Sequence, residues 1–325
     1  MPNPTAAWKL AEKGKGMIQV EHLTRRYDQL LAVDDVTFAI DQGEVVGLLG
    51  HNGAGKTTIM KMLTGFLEPT SGTIRIDNQE MGRDTRAIQS RIGYLPENCP
   101  LYPEMTVIDY LDYQASLHGL ADDQRSRAIA LALRRTALVE KAARPIQTLS
   151  RGYRQRVGVA QAILHQPDIV ILDEPTNGLD PTQILHMREL IRELAKTATV
   201  IVSTHILQEV QAVCDRVLIL RSGRLVVDSR LDALQQGRRL LVSVDDEATD
   251  SLAKVEGVAG VKARGKANGR WTYVLDAGDE VAPRVVAALT TAGRRLYRLQ
   301  PEHHDLETVF AEVNAVAPAQ EVGHG

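Results

Sequence analysis

The sequence predicts an α/β fold in two parts, and three stretches of the chain support this prediction. An aliphatic run at residues 45–49 leads into a glycine-rich loop, which is followed by apolar residues at helical spacing. A run of four aliphatic residues at 169–172 is typical of a buried parallel strand. After residue 238 the order of short segments is strand, helix, strand, strand, helix, strand. That order predicts a small α+β domain of the ferredoxin-like type.

Composition and charge are those of a globular chain. The length of 325 residues predicts about two domains, and 44% of the residues are hydrophobic. The 38 Lys and Arg residues against 41 Asp and Glu residues give a net charge of −3, so nucleic-acid binding is not expected. Cys99 and Cys214 are too few for a disulfide framework or a zinc site, and their number suits a reducing cytosol.

No apolar run is long enough to span a bilayer, and the first residues lack the apolar segment of a signal peptide. Work at a membrane would therefore depend on a partner. Residues 1–16 are expected to be a flexible leader, and the tail at 315–325 is expected to be disordered.

Residues 47–58 read GLLGHNGAGKTT and fit the phosphate-loop pattern G-x-x-x-x-G-K-[ST] at Gly50, Gly55, Lys56 and Thr57. Glycines let successive backbone N–H groups approach a triphosphate, and the following helix adds the positive end of its dipole. Lys56 is expected to reach the β- and γ-phosphates, and the Thr57 hydroxyl to bind Mg²⁺. A plain turn between strand and helix is disfavoured because the Lys-Thr pair is correctly placed. The nucleotide site is expected to include also Asn52, Gly53, Ala54 and Thr58.

Two carboxylates, Asp173 and Glu174, follow the run at 169–172. Open α/β sheets bind ligands beyond the carboxyl ends of their strands. We expect Asp173 to bind Mg²⁺ and Glu174 to polarise the attacking water, because phosphoryl transfer requires positioning and charge. His205 follows a strand predicted at 199–203 and is expected to contact the γ-phosphate, although a lone His at a strand end is more often structural.

The remaining segments follow from periodicity and turn residues. The stretch from 106 to about 140 is predicted to be a largely helical insertion. Further strands are predicted at 18–23, 33–40, 73–76, 92–97, 240–244, 258–263, 271–275 and 295–299, and helices at 247–255, 281–292 and 306–313. Tyr27 lies between the first two strands, where it is either a half-buried aromatic or a stacking partner for an adenine ring.

The segment LSRGYRQ at 149–155 stands between the phosphate loop and ILDEPTNGLD at 171–180. With these motifs the chain resembles the nucleotide-binding subunit of ATP-binding cassette (ABC) transporters over roughly residues 18–235. The resemblance implies a P-loop NTPase core at 17–238 with a helical subdomain at about 98–160, and the element order places the ferredoxin-like domain at 239–314. It also implies ATP and Mg²⁺ as cofactors, and ATP hydrolysis.

Residue roles are carried over from the matching motifs. In this family two subunits face each other head to tail, and the signature segment of one completes the ATP site of the other. The resemblance implies the following roles: Tyr27 for adenine stacking, residues 50–58 for the Walker A loop, Asp173 for the Walker B aspartate, Glu174 for the catalytic base, His205 for the switch histidine, Asp180 for the D-loop aspartate, and Ser150, Arg151, Gly152 and Gln155 for the signature acting in trans.

Two departures from the common family pattern bear on the direction of transport. Arg151 and Tyr153 stand where the commonest signature has glycine and glutamine, and Glu97 stands where a glutamine normally helps to bind Mg²⁺. Both departures are similar to those found in the branch of the family that drives ABC-2 type exporters. This branch includes multidrug, gliding-motility and copper-site maturation systems. They favour export.

The resemblance implies transmembrane permease subunits as partners, a second copy or a homologous nucleotide-binding subunit, and a peripheral place on the cytoplasmic face of the cell membrane. Residues 100–105 combine Pro, Tyr and Leu, and form either a groove for a partner's short helix or an ordinary surface loop. One alternative is an importer ATPase with a regulatory C-terminal domain. Another is a soluble ABC ATPase without a transporter, although the sequence has one phosphate loop and no long coiled coil before Ser150.

Overall fold

The computed structural model describes residues 17–235, 239–267, 269–301 and 306–315. The chain divides into two compact units, of which the first ends at Ser229 and the second begins at Arg230. The expected leader at 1–16 and the tail beyond Ala315 lie outside the described residues.

The first unit contains two sheets. Its strands are β1 Ile18–Tyr27, β2 Leu30–Ile40, β3 Val45–Leu49, β4 Ser71–Ile76, β5 Gln79–Glu80, β6 Ile92–Leu95, β7 Ile169–Asp173, β8 Thr199–Thr204, β9 Arg216–Arg221 and β10 Arg224–Arg230, the last ending at the boundary between the units. Its helices are α1 Lys56–Leu63, α2 Thr85–Gln89, α3 Val107–Leu117, α4 Asp122–Arg135, α5 Arg151–Ala162, α6 Pro181–Ala195 and α7 Leu207–Val213.

The central sheet has the strand order β10-β9-β3-β8-β7-β6. Strands β6, β7, β8, β3 and β9 pair in parallel. Every residue of β3, β7 and β8 is buried, because helices and a second sheet cover their apolar side chains. The predicted buried parallel strand at 169–172 is therefore confirmed.

The second sheet is antiparallel, in the order β2-β1-β4-β5. Its inward side chains, such as Val20 and Phe38, share one apolar core with Met60 of α1 and Ile171 of β7. Strands β1 and β2 are longer than predicted and form a hairpin. As a result Tyr27 is the last residue of β1 and pairs with Leu30, instead of lying between two separate strands.

The predicted helical insertion forms two helices, α3 and α4, separated by a turn at Gly119 with φ 73°. A glycine adopts this left-handed conformation without steric cost, so it ends the first helix. Both helices pack with α5 in one apolar core, and the Tyr110 hydroxyl donates to Gln161 Oε1 at 2.8 Å. The strand predicted at 92–97 ends at Leu95, so Glu97 lies in the loop that leads to α3.

The second unit has the predicted element order. After α8 Leu231–Gln235 come β11 Arg239–Val244, α9 Thr249–Ala253, β12 Gly260–Ala267, β13 Arg270–Asp276, α10 Ala282–Thr291, β14 Leu296–Pro301 and α11 Leu306–Ala315. The sheet is antiparallel in the order β12-β13-β11-β14, and its apolar face packs against α9 and α10. This is the connectivity of a ferredoxin-like fold. Helix α8 contacts α11 within this unit.

Gly93 of β6 packs directly against the end of α5. A Cβ at this position would come 2.1 Å from the Ala162 carbonyl oxygen and 2.9 Å from Pro167 Cγ. Since the first of these atoms is backbone, Gly93→Ala is expected to lower the free energy of unfolding of the first unit by about 2–3 kcal/mol. Urea unfolding followed by circular dichroism measures this change.

The matched control is Gly260→Ala, because a Cβ at Gly260 would meet nothing closer than Asp276 Cβ at 3.7 Å. This control is expected to stay within about 1 kcal/mol of the unsubstituted chain. Equal unfolding curves for both variants would contradict the close approach of β6 and α5.

Candidate functional site

A cavity of 720 Å³ lies beside the glycine-rich loop that joins β3 to α1. The predicted site residues that line it are Tyr27, Asn52, Gly53, Gly55, Lys56, Thr57, Thr58, Glu97, Glu174 and His205. Residues 30–32 of β2, Asn177 and Ser222 complete the wall and were not among the predicted site residues. The structure thus brings together residues from the ends of several strands.

The loop itself depends on glycines at close approaches. Gly55 has φ 104°, and a Cβ there would lie 2.7 Å from the Ala32 carbonyl oxygen of β2. Gly50 lies behind the cavity wall, where a Cβ would come 2.7 Å from the Leu220 carbonyl oxygen. Ala54 is likewise buried and packs in the core beneath the loop. Larger residues at Gly50 and Gly55 would displace the loop from the sheet.

Lys56 is the first residue of α1, and its ammonium group turns back into the loop. Its Nζ atom donates to the carbonyl oxygens of Gly50 at 2.7 Å and His51 at 3.3 Å. The same atom lies 3.5 Å from Glu174 Oε1. Only 6% of the Lys56 side chain is exposed. A buried ammonium that binds loop carbonyls is placed to meet a negatively charged ligand in the cavity.

Glu174 is held between two cationic or polar partners. Its Oε2 atom lies 3.0 Å from His205 Nδ1, while Oε1 faces Lys56. Its backbone is left-handed, with φ 49°, and its N–H group donates to the carbonyl and hydroxyl oxygens of Ser203 at 3.2 and 3.1 Å. Strand β8 therefore holds the Glu174 backbone, while His205 and Lys56 hold its two carboxylate oxygens.

Asp173 is fully buried at the end of β7. Its Oδ1 atom accepts a hydrogen bond from the Ser203 hydroxyl, and its buried Oδ2 atom makes no hydrogen bond with the described residues. Burial raises the pKa of Asp173, and the hydroxyl groups of Ser203 and Thr57 oppose this shift. A buried carboxylate oxygen without a donor is the kind of group that a cation satisfies.

Tyr94 and Glu97 add two further polar groups near Asp173. The Tyr94 hydroxyl is buried without a hydrogen-bond partner among the described residues, and its pKa is raised by burial and by Asp173 and Glu97. Glu97 Oε1 accepts a hydrogen bond from Asn177 Nδ2 at 3.3 Å. Asn177 follows the carboxylate pair by three residues, and that position was the available sequence signal for it.

The signature residues and the D-loop do not line the cavity. Ser150 precedes α5, and its side chain makes no hydrogen bond to the N–H groups of that helix, while Gln155 is half-buried farther along it. A Cβ on Gly152 would meet the Gln183 side chain at 2.4 Å, and a Cβ on Gly178 would meet Arg151 Cζ at 2.5 Å. These two segments therefore pack against each other within one chain.

Asp180, the D-loop aspartate, has a local structural role. Its Oδ1 atom accepts a hydrogen bond from the Gln183 N–H group at 2.9 Å and caps the start of α6. Such a cap stabilises a helix by about 1 kcal/mol.

The described part of the chain has no helix whose length and hydropathy would let it cross a membrane.

Comparisons with known proteins agree with this geometry. The profile of the ABC transporter family matches residues 33–177. The uncharacterized ABC transporter ATP-binding protein YxlF of Bacillus subtilis (strain 168) is 39% identical over 220 residues, covering 68% of this chain and 73% of YxlF. The bacitracin transport ATP-binding protein BcrA of Bacillus licheniformis is 37% identical over 225 residues, covering 69% of this chain and 72% of BcrA.

Among solved structures, the dimeric bacterial ABC transporter cassette MJ0796 superposes with a TM-score of 0.61 at 25% identity, covering 66% of this chain and 99% of that chain. These matches confirm the predicted family and the fold of its ATPase core. The chain therefore belongs to the ATP-binding proteins of ABC transporters, which hydrolyse ATP.

Proposed function

We propose that the chain drives export through separate transmembrane subunits by hydrolysing Mg·ATP between two head-to-tail copies of itself or of a homologous subunit. The observation that carries the catalytic part is the cavity in whose wall Lys56, Glu174 and His205 meet, with Asp173 buried next to Glu174 in the chain. Export is favoured by the likeness to BcrA and by Glu97 and Arg151, which depart from the common family pattern.

The residues around the loop fit Mg·ATP. Lys56, which now binds loop carbonyls, would face the phosphates, and the left-handed Gly53 and Gly55 keep the loop backbone open to them. The unpaired Oδ2 atom of Asp173, the Thr57 hydroxyl and the Glu97 carboxylate would supply oxygen ligands for Mg²⁺. Bound Mg²⁺ would neutralise phosphate charge during the reaction.

Glu174 and His205 would carry the hydrolytic step. Glu174 would orient and polarise the attacking water, because Lys56 and His205 hold its two oxygens in fixed directions. His205 turns Nδ1 to Glu174, which leaves Nε2 to meet the γ-phosphate.

Tyr27 would stack on the adenine ring. It is 39% exposed in the cavity wall, and the Arg25 guanidinium lies 4.6 Å from its ring centroid. Arg25 is itself anchored by a hydrogen bond to the Glu68 carbonyl oxygen at 3.0 Å. One ring face is thus held from below, which suits stacking on the other.

Ser150, Arg151, Gly152 and Gln155 would complete the site of the second subunit. None of them lines this chain's own cavity, and they surround the N-terminus of the 12-residue helix α5, where a phosphate is favoured. The D-loop with Asp180 packs beside them and would meet the same partner.

A surface of exposed aromatic side chains is proposed to dock a short helix of the permease, which would hold the protein at the cytoplasmic face of the membrane. Tyr102 is 48% exposed and makes edge-on contacts with Tyr110 and Tyr113 at 6.0 and 5.8 Å.

A photo-crosslinker at position 102 should capture a membrane subunit in intact cells. Capture of no membrane protein would remove this assignment.

We propose two domains, an ATPase domain at 17–238 and a second domain at 239–314. For the second domain we propose a packing or dimer-stabilising role. A regulatory role remains the alternative, since a cavity of 290 Å³ lies between α9 and α10. A small solute that bound the full chain there and slowed ATP turnover would favour the regulatory role.

The hydrolytic assignment is tested with Glu174→Gln. Loss of the carboxylate should lower kcat by roughly 100-fold or more, because the water loses its base, while ATP binding persists. With Mg·ATP this variant should accumulate as a dimer in analytical ultracentrifugation, and adding Ser150→Arg should return it to monomer.

The control is Glu189→Gln, an exposed carboxylate on α6 that should keep wild-type turnover. Unchanged turnover in Glu174→Gln would overturn the assignment. A dimer that survives Ser150→Arg would overturn the head-to-tail arrangement alone.

A second prediction concerns the charge on Asp173 in the nucleotide-free protein. Because burial raises its folded-state pKa, the folded chain holds this proton more tightly than the unfolded chain. The resulting stabilisation is complete below the unfolded pKa and is lost as pH rises through the folded pKa. Asp173→Asn should therefore melt a few degrees above wild type at pH 7.5 in the presence of a chelator, with a smaller difference towards pH 4.5.

Thermal unfolding across this pH range measures the difference, and Asp123→Asn, at an exposed carboxylate of α4, is the control. Addition of Mg·ATP should make wild type melt at a higher temperature than Asp173→Asn, since only wild type has the carboxylate that binds the metal. An Asp173→Asn variant that melts below wild type at every pH would contradict this account.

A further inference from the structure

One buried carboxylate has no part in the reaction described above. Glu209 lies on α7, four residues after His205, and is only 3% exposed. Placing a carboxylate in the interior is unfavourable unless hydrogen bonds compensate for the lost water. Its partners therefore indicate what it does.

Two hydroxyl groups donate to the same oxygen of Glu209. The Thr176 hydroxyl and the Thr204 hydroxyl both bond Oε2, the second at 3.1 Å. The other oxygen, Oε1, is buried and makes no hydrogen bond with the described residues. Both threonine side chains are themselves buried, at 3% and 0% exposure, so this contact is shielded from water.

The two threonines belong to the segments that carry the catalytic pair. Thr176 follows Glu174 in a turn where the Asn177 N–H group donates to the Glu174 carbonyl oxygen at 3.1 Å. Thr204 immediately precedes His205, and its Oγ1 atom accepts from the Ile206 N–H group at 3.1 Å. The peptide on either side of His205 is thus tied to the hydroxyl that Glu209 binds.

Backbone pairing cannot supply this connection. The parallel pairing of β7 with β8 ends at Asp173 and Ser203, and the Glu174 N–H group adds the last bond to β8. Beyond that point, side chains join the ends of the two strands: the Glu174–His205 contact itself, and the bridge from Thr176 through Glu209 to Thr204.

We infer that Glu209 is a positioning residue that keeps Glu174 and His205 in hydrogen-bond contact by joining the ends of β7 and β8. This inference rests on the proposed roles of Glu174 and His205. A small misplacement of reacting groups lowers a rate by up to about 100-fold without preventing ligand binding. Glu209 would therefore act on turnover and leave nucleotide affinity unchanged.

The test compares Glu209→Leu, which removes both acceptors, with Glu209→Gln, which keeps one acceptor oxygen at similar volume. Thr176→Val removes one donor and serves if the leucine variant does not fold. Glu189→Leu is the matched control, because it makes the same change at an exposed position on α6. For each variant kcat and KM for ATP are measured, together with amide hydrogen exchange of the nucleotide-free protein.

The expected result for Glu209→Leu is a kcat lowered by roughly 10- to 100-fold, with KM for ATP within about threefold of wild type. Glu209→Gln should recover to within about fivefold of wild type, and Thr176→Val should fall between the two. In the nucleotide-free protein, exchange should accelerate at His205 and Ile206 in the leucine variant, while β3 and β7 keep their protection.

Three outcomes would overturn the inference: a kcat within about twofold of wild type for Glu209→Leu, equal losses in the glutamine and leucine variants, or faster exchange throughout the unit. The proposed function fails separately, if Glu174→Gln keeps its turnover. An inactive Glu174→Gln beside a fully active Glu209→Leu removes the positioning role alone.

Discussion

The parallel pairing of β3, β8 and β7 is the constraint on which the site depends. Because neighbouring parallel strands end at the same edge of a sheet, Lys56, His205 and Glu174 meet although they lie far apart in the chain. The close approach of the loop at Gly55 to β2 then sets the wall of the cavity. The core below this edge is fully apolar, so the position of the edge is fixed by packing.

Charge balance at this edge points to a ligand. One ammonium group and two carboxylates are buried here: Lys56 contacts Glu174, and the neighbouring Asp173 retains an oxygen that no described residue satisfies. Such groups are costly in a resting protein, and the cost falls when phosphate oxygens and a divalent cation enter. Burial has the same cost at Glu209, and there two buried hydroxyl groups lower it by donating to one oxygen of the carboxylate.

The sequence predicted the motifs that are continuous in the chain. The glycine pattern at 50–57 and the aliphatic run before Asp173 fix both a local conformation and a chemistry, and the element order after residue 238 predicted the connectivity of the second unit. Contacts between distant segments were not predictable in the same way. Ser203 and Glu209 have ordinary sequence surroundings, and only the folded arrangement brings their polar atoms to the site.

Lengths of elements were also set by pairing and not by local pattern. Strand β1 extends to Tyr27 because β2 pairs with it to Leu30, and this extension places the Tyr27 ring in the cavity wall. The pattern predicted a largely helical insertion without dividing it, and the structure separates α3 from α4 at the left-handed Gly119. The roles of Ser150 and Arg151 could be inferred only from the resemblance, because one chain cannot contain a contact that needs two.

The central claim is that this sheet edge binds Mg·ATP through the loop lysine and the strand carboxylates. Isothermal titration of the purified chain with ATP, with and without magnesium, measures it most directly. We predict one nucleotide bound per chain, with affinity at least about tenfold weaker after chelation of the metal and undetectable in Lys56→Ala. Absence of adenine-nucleotide binding by the folded wild-type chain in the presence of magnesium would contradict the account.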